Sequence, residues 1–113
     1  MFSLRREKTQ QEQRMQPNEQ FLSHVDKALE KFGTTVKSVV YFRFFEEHGL
    51  KREQIAERPE LFVETIDKFF GVGSEIVKSS IEMEMRIATS PVELGQSSTA
   101  DILRKARDHF QRA

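Results

Sequence analysis

The sequence predicts an all-α protein: a compact four- to five-helix bundle with a separate C-terminal helix. Three observations predict it. Apolar residues recur at helical spacing in successive segments between residues 21 and 88, glycine or proline punctuates the joints, and the most strand-like segment is too long for a strand.

The first helix starts at Pro17-Asn18. Phe21, Leu22, Val25, Ala28, Leu29 and Phe32 share one face, with Ser23, Asp26, Lys27 and Glu30 opposite. Gly33 is placed to end it as a left-handed cap, and Thr34 or Thr35 to cap the next helix.

The segment "SVVYFRFFEEHG" reads two ways. At period two, Val36, Val40, Phe42 and Phe44 line one side, and Val, Tyr and Phe favour strands. At period 3.6, Val36, Val40 and Phe44 stack on one face, with Tyr41 and Phe45 in a second sector and Phe42 in a third. Residues 34–48 run unbroken from Gly33 to Gly49, the length of a four-turn helix. The ending "EEHGL" supplies a left-handed cap at Gly49 and an apolar contact at Leu50. Helix is the better reading. Apolar residues surround most of it, so it is expected at the centre of the bundle.

"KREQIAER" is a short helical turn anchored by Ile55. Pro59 opens the next helix, with Glu60 at its positive dipole end. Leu61, Phe62, Thr65, Ile66, Phe69 and Phe70 form its broad face, and Gly71 closes it. "GVG" is a tight turn in which Gly71 and Gly73 supply positive φ. Ser74 then caps a helix whose apolar stripe is Ile76, Val77, Ile81, Met83, Ile87 and Ala88, with Glu84 inside the stripe. "TSPVELGQSS" is a linker. The last helix is capped by Ser98 or Thr99 and carries the narrow strip Ile102, Leu103, Ala106 and Phe110. The organisation is a flexible segment over 1–16, a helical domain over 17–90, and a linker with an amphipathic helix over 91–113.

With 113 residues, this is one domain with tails. Cys is absent, so there is no disulfide framework, thiolate metal site or cysteine nucleophile. No apolar run reaches the roughly 18 to 20 residues of a membrane helix, and the first residues lack a signal-peptide core. A cytoplasmic protein without membrane contact is expected. Net charge is +0, but residues 17–90 hold 10 Lys and Arg against 13 Asp and Glu, and both ends are slightly basic. Phosphate affinity needs clustered Lys and Arg, so nucleic acid is a weak expectation as partner.

No P-loop, dinucleotide-binding glycine pattern, nucleophile elbow or zinc-protease motif is present. His24, His48 and His109 lie on different elements, and no metal site or cofactor is expected. A catalytic reading rests on Glu84 alone, so no enzyme activity and no small-molecule substrate are expected. Glu84 is better read as one half of a buried ion pair with Arg43, which is also set among aromatics. "HGLKREQIAE" is similar to the start of a helix-turn-helix, but its recognition helix would carry Glu60, Glu64 and Asp67 against Lys68. An acidic helix is a poor occupant of a phosphate-lined groove. Arg104, Lys105, Arg107 and Arg112 on the terminal helix are offset by Asp101 and Asp108.

"FGTTVKSVVYFRFFEEHGL" followed by "REQIAERPELFVETIDKFFGVGSEIVKSSIEMEM" resembles the Nitrosopumilus output domain family, small archaeal domains of unknown biochemistry. The resemblance covers residues 21–88. It rests on a helix ending in FG, a Lys-Ser-x-x-Tyr helix closing at GL, and a PE-x-F helix ending in FGxG. Phe44 and Phe45 stand where the pattern is more aliphatic, and the terminal helix lies outside it. The resemblance implies a signal-transduction or regulatory module and brings no catalytic residues.

A non-enzymatic protein-interaction module, working with a protein partner or as a homodimer, is therefore the leading expectation. The alternative is a DNA-binding regulator using the middle helices or the basic end. Tyr41, Phe42 and Phe45, with Ile102, Leu103 and Phe110, are the expected interface residues; Gly33, Gly49, Pro59, Gly71 and Gly73 are the structural ones.

Overall fold

The computed structural model describes residues 16–89, 95 and 97–112. They form five α-helices: α1 (Pro17–Glu30), α2 (Thr34–His48), α3 (Pro59–Phe70), α4 (Ser74–Ala88) and α5 (Thr99–Arg112). Short 3-10 turns at Arg52–Gln54 and Gly71–Gly73 join them, and the described residues contain no strand. The segment read as flexible over 1–16, Gln16 apart, and most of the linker lie outside the described residues.

The protein is an all-α bundle. Helix α1 is its axis. Phe21, Leu22, Val25, Ala28 and Leu29 are fully buried, and the helix packs against α2, α4 and α5. Each large side chain of this kind contributes about 1.5–3 kcal/mol by leaving water, so α1 carries a major share of the core. The sequence pointed instead to α2 as the centre. Only Val40 and Phe44 of α2 are fully buried, with Val36 and Tyr41 packed against them. Its remaining aromatics, Phe42 and Phe45, share an outward face and stay largely in solvent, which is why composition alone overstated its burial.

Helix α3 opens at Pro59, where the missing N–H is not needed, and buries Phe62, Thr65 and Ile66. Phe62 meets Phe44 edge-on, ring centres 5.3 Å apart, and this contact locks α3 to α2. Ile55 and Ala56 fill the core beneath the intervening turn.

Helix α5 joins the same core. Ile102, Leu103 and Ala106 are fully buried, and the helix packs on α1, α3 and α4. The Ser98 hydroxyl caps it by accepting the Asp101 N–H at 3.2 Å. The helix set apart by the linker in sequence thus docks on its own domain.

The joints differ from expectation in three places. Gly49 does take the left-handed conformation, φ 69° and ψ 18°, and its N–H bonds Phe45 O at 2.7 Å. Gly33 does not: α1 ends at Glu30, and Gly33, with φ 113° and ψ 146°, is the residue before α2, so neither Thr34 nor Thr35 caps that helix. Gly71 needs positive φ (58°), whereas Gly73 sits at φ −83° with open space around its Cα. Ser74 is accordingly the buried first residue of α4 rather than its side-chain cap.

Candidate interaction surface

Helix α4 has two apolar faces. Val77, Ile81 and Met85 point into the core, fully or almost fully buried. Ile76, Met83 and Ile87 point outward and are 67%, 57% and 71% exposed. At 100° per residue, positions 76, 83 and 87 fall within about 40° of one another, on the side away from Ile81. The stripe read from sequence merged these two faces and omitted Met85. The spacings of seven and eleven residues, measured from Ile76, were the available signal. Val72, in the turn before α4, is fully exposed at the same end of the strip.

Separating the faces also explains Glu84. It stands at the edge of the core face, 7% exposed, and Nδ1 of His24 lies 3.0 Å from its Oε1. Lys31 Nζ lies 3.9 Å from the other oxygen. The imidazole of His24 in turn stacks on Phe110, with ring centres 5.5 Å apart, so this polar group fastens α1 to α4 and α5. The expected pair of Arg43 with Glu84 does not form. Arg43 faces solvent on α2, 3.9 Å from Glu46, and lines a shallow cleft with Glu47, Lys68 and Phe69.

A second outward face lies on α2, where Phe42 and Phe45 are 59% and 52% exposed. Tyr41, grouped with them in sequence, is half-buried and turned toward the core. Its ring packs near Phe62, and its hydroxyl donates to Asp26 of α1. Ile102 and Leu103 are likewise core residues with no surface to offer a partner, and Phe110 is half-buried against His24. The spacing that makes α5 amphipathic serves its own domain.

Arg52 completes the network around Asp26, donating to its carboxylate from Nε (3.1 Å) and Nη2 (2.7 Å) and to Glu19 from Nη1 (3.1 Å). Burial pushes the Asp26 carboxyl up, but the hydrogen bonds from Arg52 and Tyr41 outweigh it and hold the group below its ordinary value. Burial and the same bond to Asp26 hold the Tyr41 hydroxyl well above its ordinary value. Sequence reading missed this network because its members lie on three different elements.

Among the described residues no three of His, Asp and Glu converge as metal ligands. His48 sits at the end of α2 with Nε2 buried, 3.8 Å from Glu47 and 3.9 Å from Glu64, and without a hydrogen-bond partner. Among the described residues, no helix is long and apolar enough to cross a membrane. The outer face of α3 is acidic, and Arg104 of α5 is engaged by Glu60 (3.3 Å) and Asp101 (2.9 Å). These pairs leave little clustered positive charge for phosphate.

Comparison with protein-family models, curated proteins and solved structures finds no match to this chain.

Proposed function

We propose that the protein is a non-enzymatic regulatory module, cytoplasmic and active in signal transduction, that works by protein–protein contact as a homodimer. The observation that carries this reading is the outward strip Ile76, Met83 and Ile87 on α4, a helix whose core requirement is already met by its other face. Exposed side chains of this size, aligned on one helix, mark a contact surface more often than scattered single residues do. The likeness to the output-domain family, carried by the motif residues alone, agrees with a regulatory role and adds no chemistry.

The alternative of DNA binding has less support, since the candidate recognition helix is acidic and Arg104 is tied to carboxylates. Light scattering at high protein concentration tests the proposal. A mass near twice 13.2 kDa is expected, and a strict monomer overturns it.

A further inference from the structure

We infer that two copies of the chain pair through α4 in antiparallel, two-fold arrangement, with Glu75 of each copy beside Arg86 of the other. The inference rests on the homodimer reading above and specifies its geometry.

The spacing is the first ground. Ile76, Ser80, Met83 and Ile87 follow the 4-3-4 steps of a heptad seam, alternating d and a positions over two heptads. A two-fold axis at the middle of this seam, between residues 81 and 82, sets Ile76 against Ile87 and Ser80 against Met83. The small Ser80 leaves a depression for the long, adaptable Met83 side chain. The Ser80 hydroxyl is satisfied within its own chain, donating to Ala28 O at 3.2 Å, so burying it in an interface leaves no unmet donor.

Charge is the second ground, and it selects the direction. Glu75 and Arg86 are eleven residues apart, so they lie on the same flank of the seam, about 20° from each other around the helix. Glu75 is strongly exposed, held only by the neighbouring Lys78 at 2.9 Å, and among the described residues Arg86 has no ion pair. In an antiparallel pair the same flanks face each other, so the acidic start of one α4 meets the basic end of the other, twice. A parallel pair brings opposite flanks together, so Glu75 and Arg86 would fall on outer sides of the pair and lose this opposite-charge contact.

The absence of cysteine makes the geometry directly testable. Ile76→Cys and Ile87→Cys, mixed and oxidised, are expected to give a disulfide-linked mixed dimer, while Ile76→Cys alone gives none. In the antiparallel pair, equivalent positions 76 stand about 16 Å apart along the axis, beyond the ~7 Å limit of a disulfide. Arg86→Glu is expected to raise the dimer dissociation constant about tenfold, since two opposed pairs become repulsive at once. Glu75→Arg combined with Arg86→Glu is expected to restore it, with circular dichroism showing the same helicity throughout. A dimer that crosslinks through Ile76→Cys alone, or that ignores Arg86→Glu, overturns this arrangement and leaves the homodimer standing. A strict monomer removes both.

Discussion

The hydroxyl of Tyr41 donates to Oδ1 of Asp26, tying the aromatic helix α2 to the bundle axis α1. Arg52 bonds both oxygens of the same carboxylate, so one acidic side chain gathers α1, α2 and the turn that leads to α3. A charge-assisted cluster of this kind stabilises through geometry that no single pair would hold.

Tyr41 is the only tyrosine, and the chain has no tryptophan, so its ionisation can be read from ultraviolet absorbance without interference. Burial and the bond to Asp26 keep the phenol protonated in the fold. The folded protein is expected to show no tyrosinate absorbance at pH 10 to 11, roughly where an unfolded tyrosine ionises, and to gain it on denaturation. Its folded pKa is raised, so stability is full below the ordinary value and falls as pH rises beyond it. Tyr41→Phe should cost about 1 kcal/mol and leave the solution mass unchanged, as suits a side chain turned toward its own core.

Asp26 gives the opposite dependence. Its folded pKa is depressed, so the unfolded chain binds its proton first as pH falls. The contribution is present above the ordinary carboxylate value, about 3.9, and is lost as pH drops through the lower folded value. Asp26→Asn should therefore cost about 1–2 kcal/mol at pH 7, a figure kept small because the site is partly solvated. The variant should also lose part of the steepness of acid unfolding. Urea titrations at pH 7 and pH 3 check both: equal cost at the two values would remove Asp26 from the account.

Neighbouring aromatics on α2 should respond very differently to truncation. Phe44 is fully buried and edge-packed on Phe62, whereas Phe42 and Phe45 stand largely in solvent. Phe44→Ala is expected to cost about 3–5 kcal/mol through lost transfer and a cavity. Phe42→Ser and Phe45→Ser should each change stability by no more than about 0.5 kcal/mol. Thermal or urea midpoints decide this, and a large loss at Phe45 would show a contact beyond those on its own chain.

Much of the fold was legible because helix signals are local. Pro17 and Pro59 start helices, Gly49 stops one, and the faces of α1 and α3 follow from spacing within a few turns. What was not legible depends on distant neighbours. Ile76 and Val77 are adjacent apolar residues, yet one faces solvent and the other the core, because α1, α3 and α5 cover only one side of α4. Glu84 looked misplaced in sequence because its nearest cation-forming side chain, His24, is sixty residues away. Tyr41 was grouped with Phe42 and Phe45 on composition, while the partner that draws it inward, Asp26, lies on another helix.

The terminal helix offers the sharpest check on how far the core extends. Leu103 is as completely buried as Leu22, although a linker separates it in sequence from the rest. If α5 belongs to one cooperative unit, Leu103→Ala should cost about 2–5 kcal/mol, as for any core leucine. The loss should appear as a lower midpoint of a single unfolding transition for the whole chain. A helix that merely rests on a finished domain would behave otherwise. Its loosening would show as an early, separate loss of helicity, with the main transition unmoved. Leu22→Ala on α1 provides the reference. Matching shifts in the two variants, followed by far-ultraviolet circular dichroism and by Tyr41 absorbance, are the expected result. The dichroism reports every helix, and the tyrosine reports the α1–α2 contact on the far side of the sequence from α5. Coincident curves from the two probes require that removing three carbons' worth of packing in α5 be felt where Tyr41 meets Asp26.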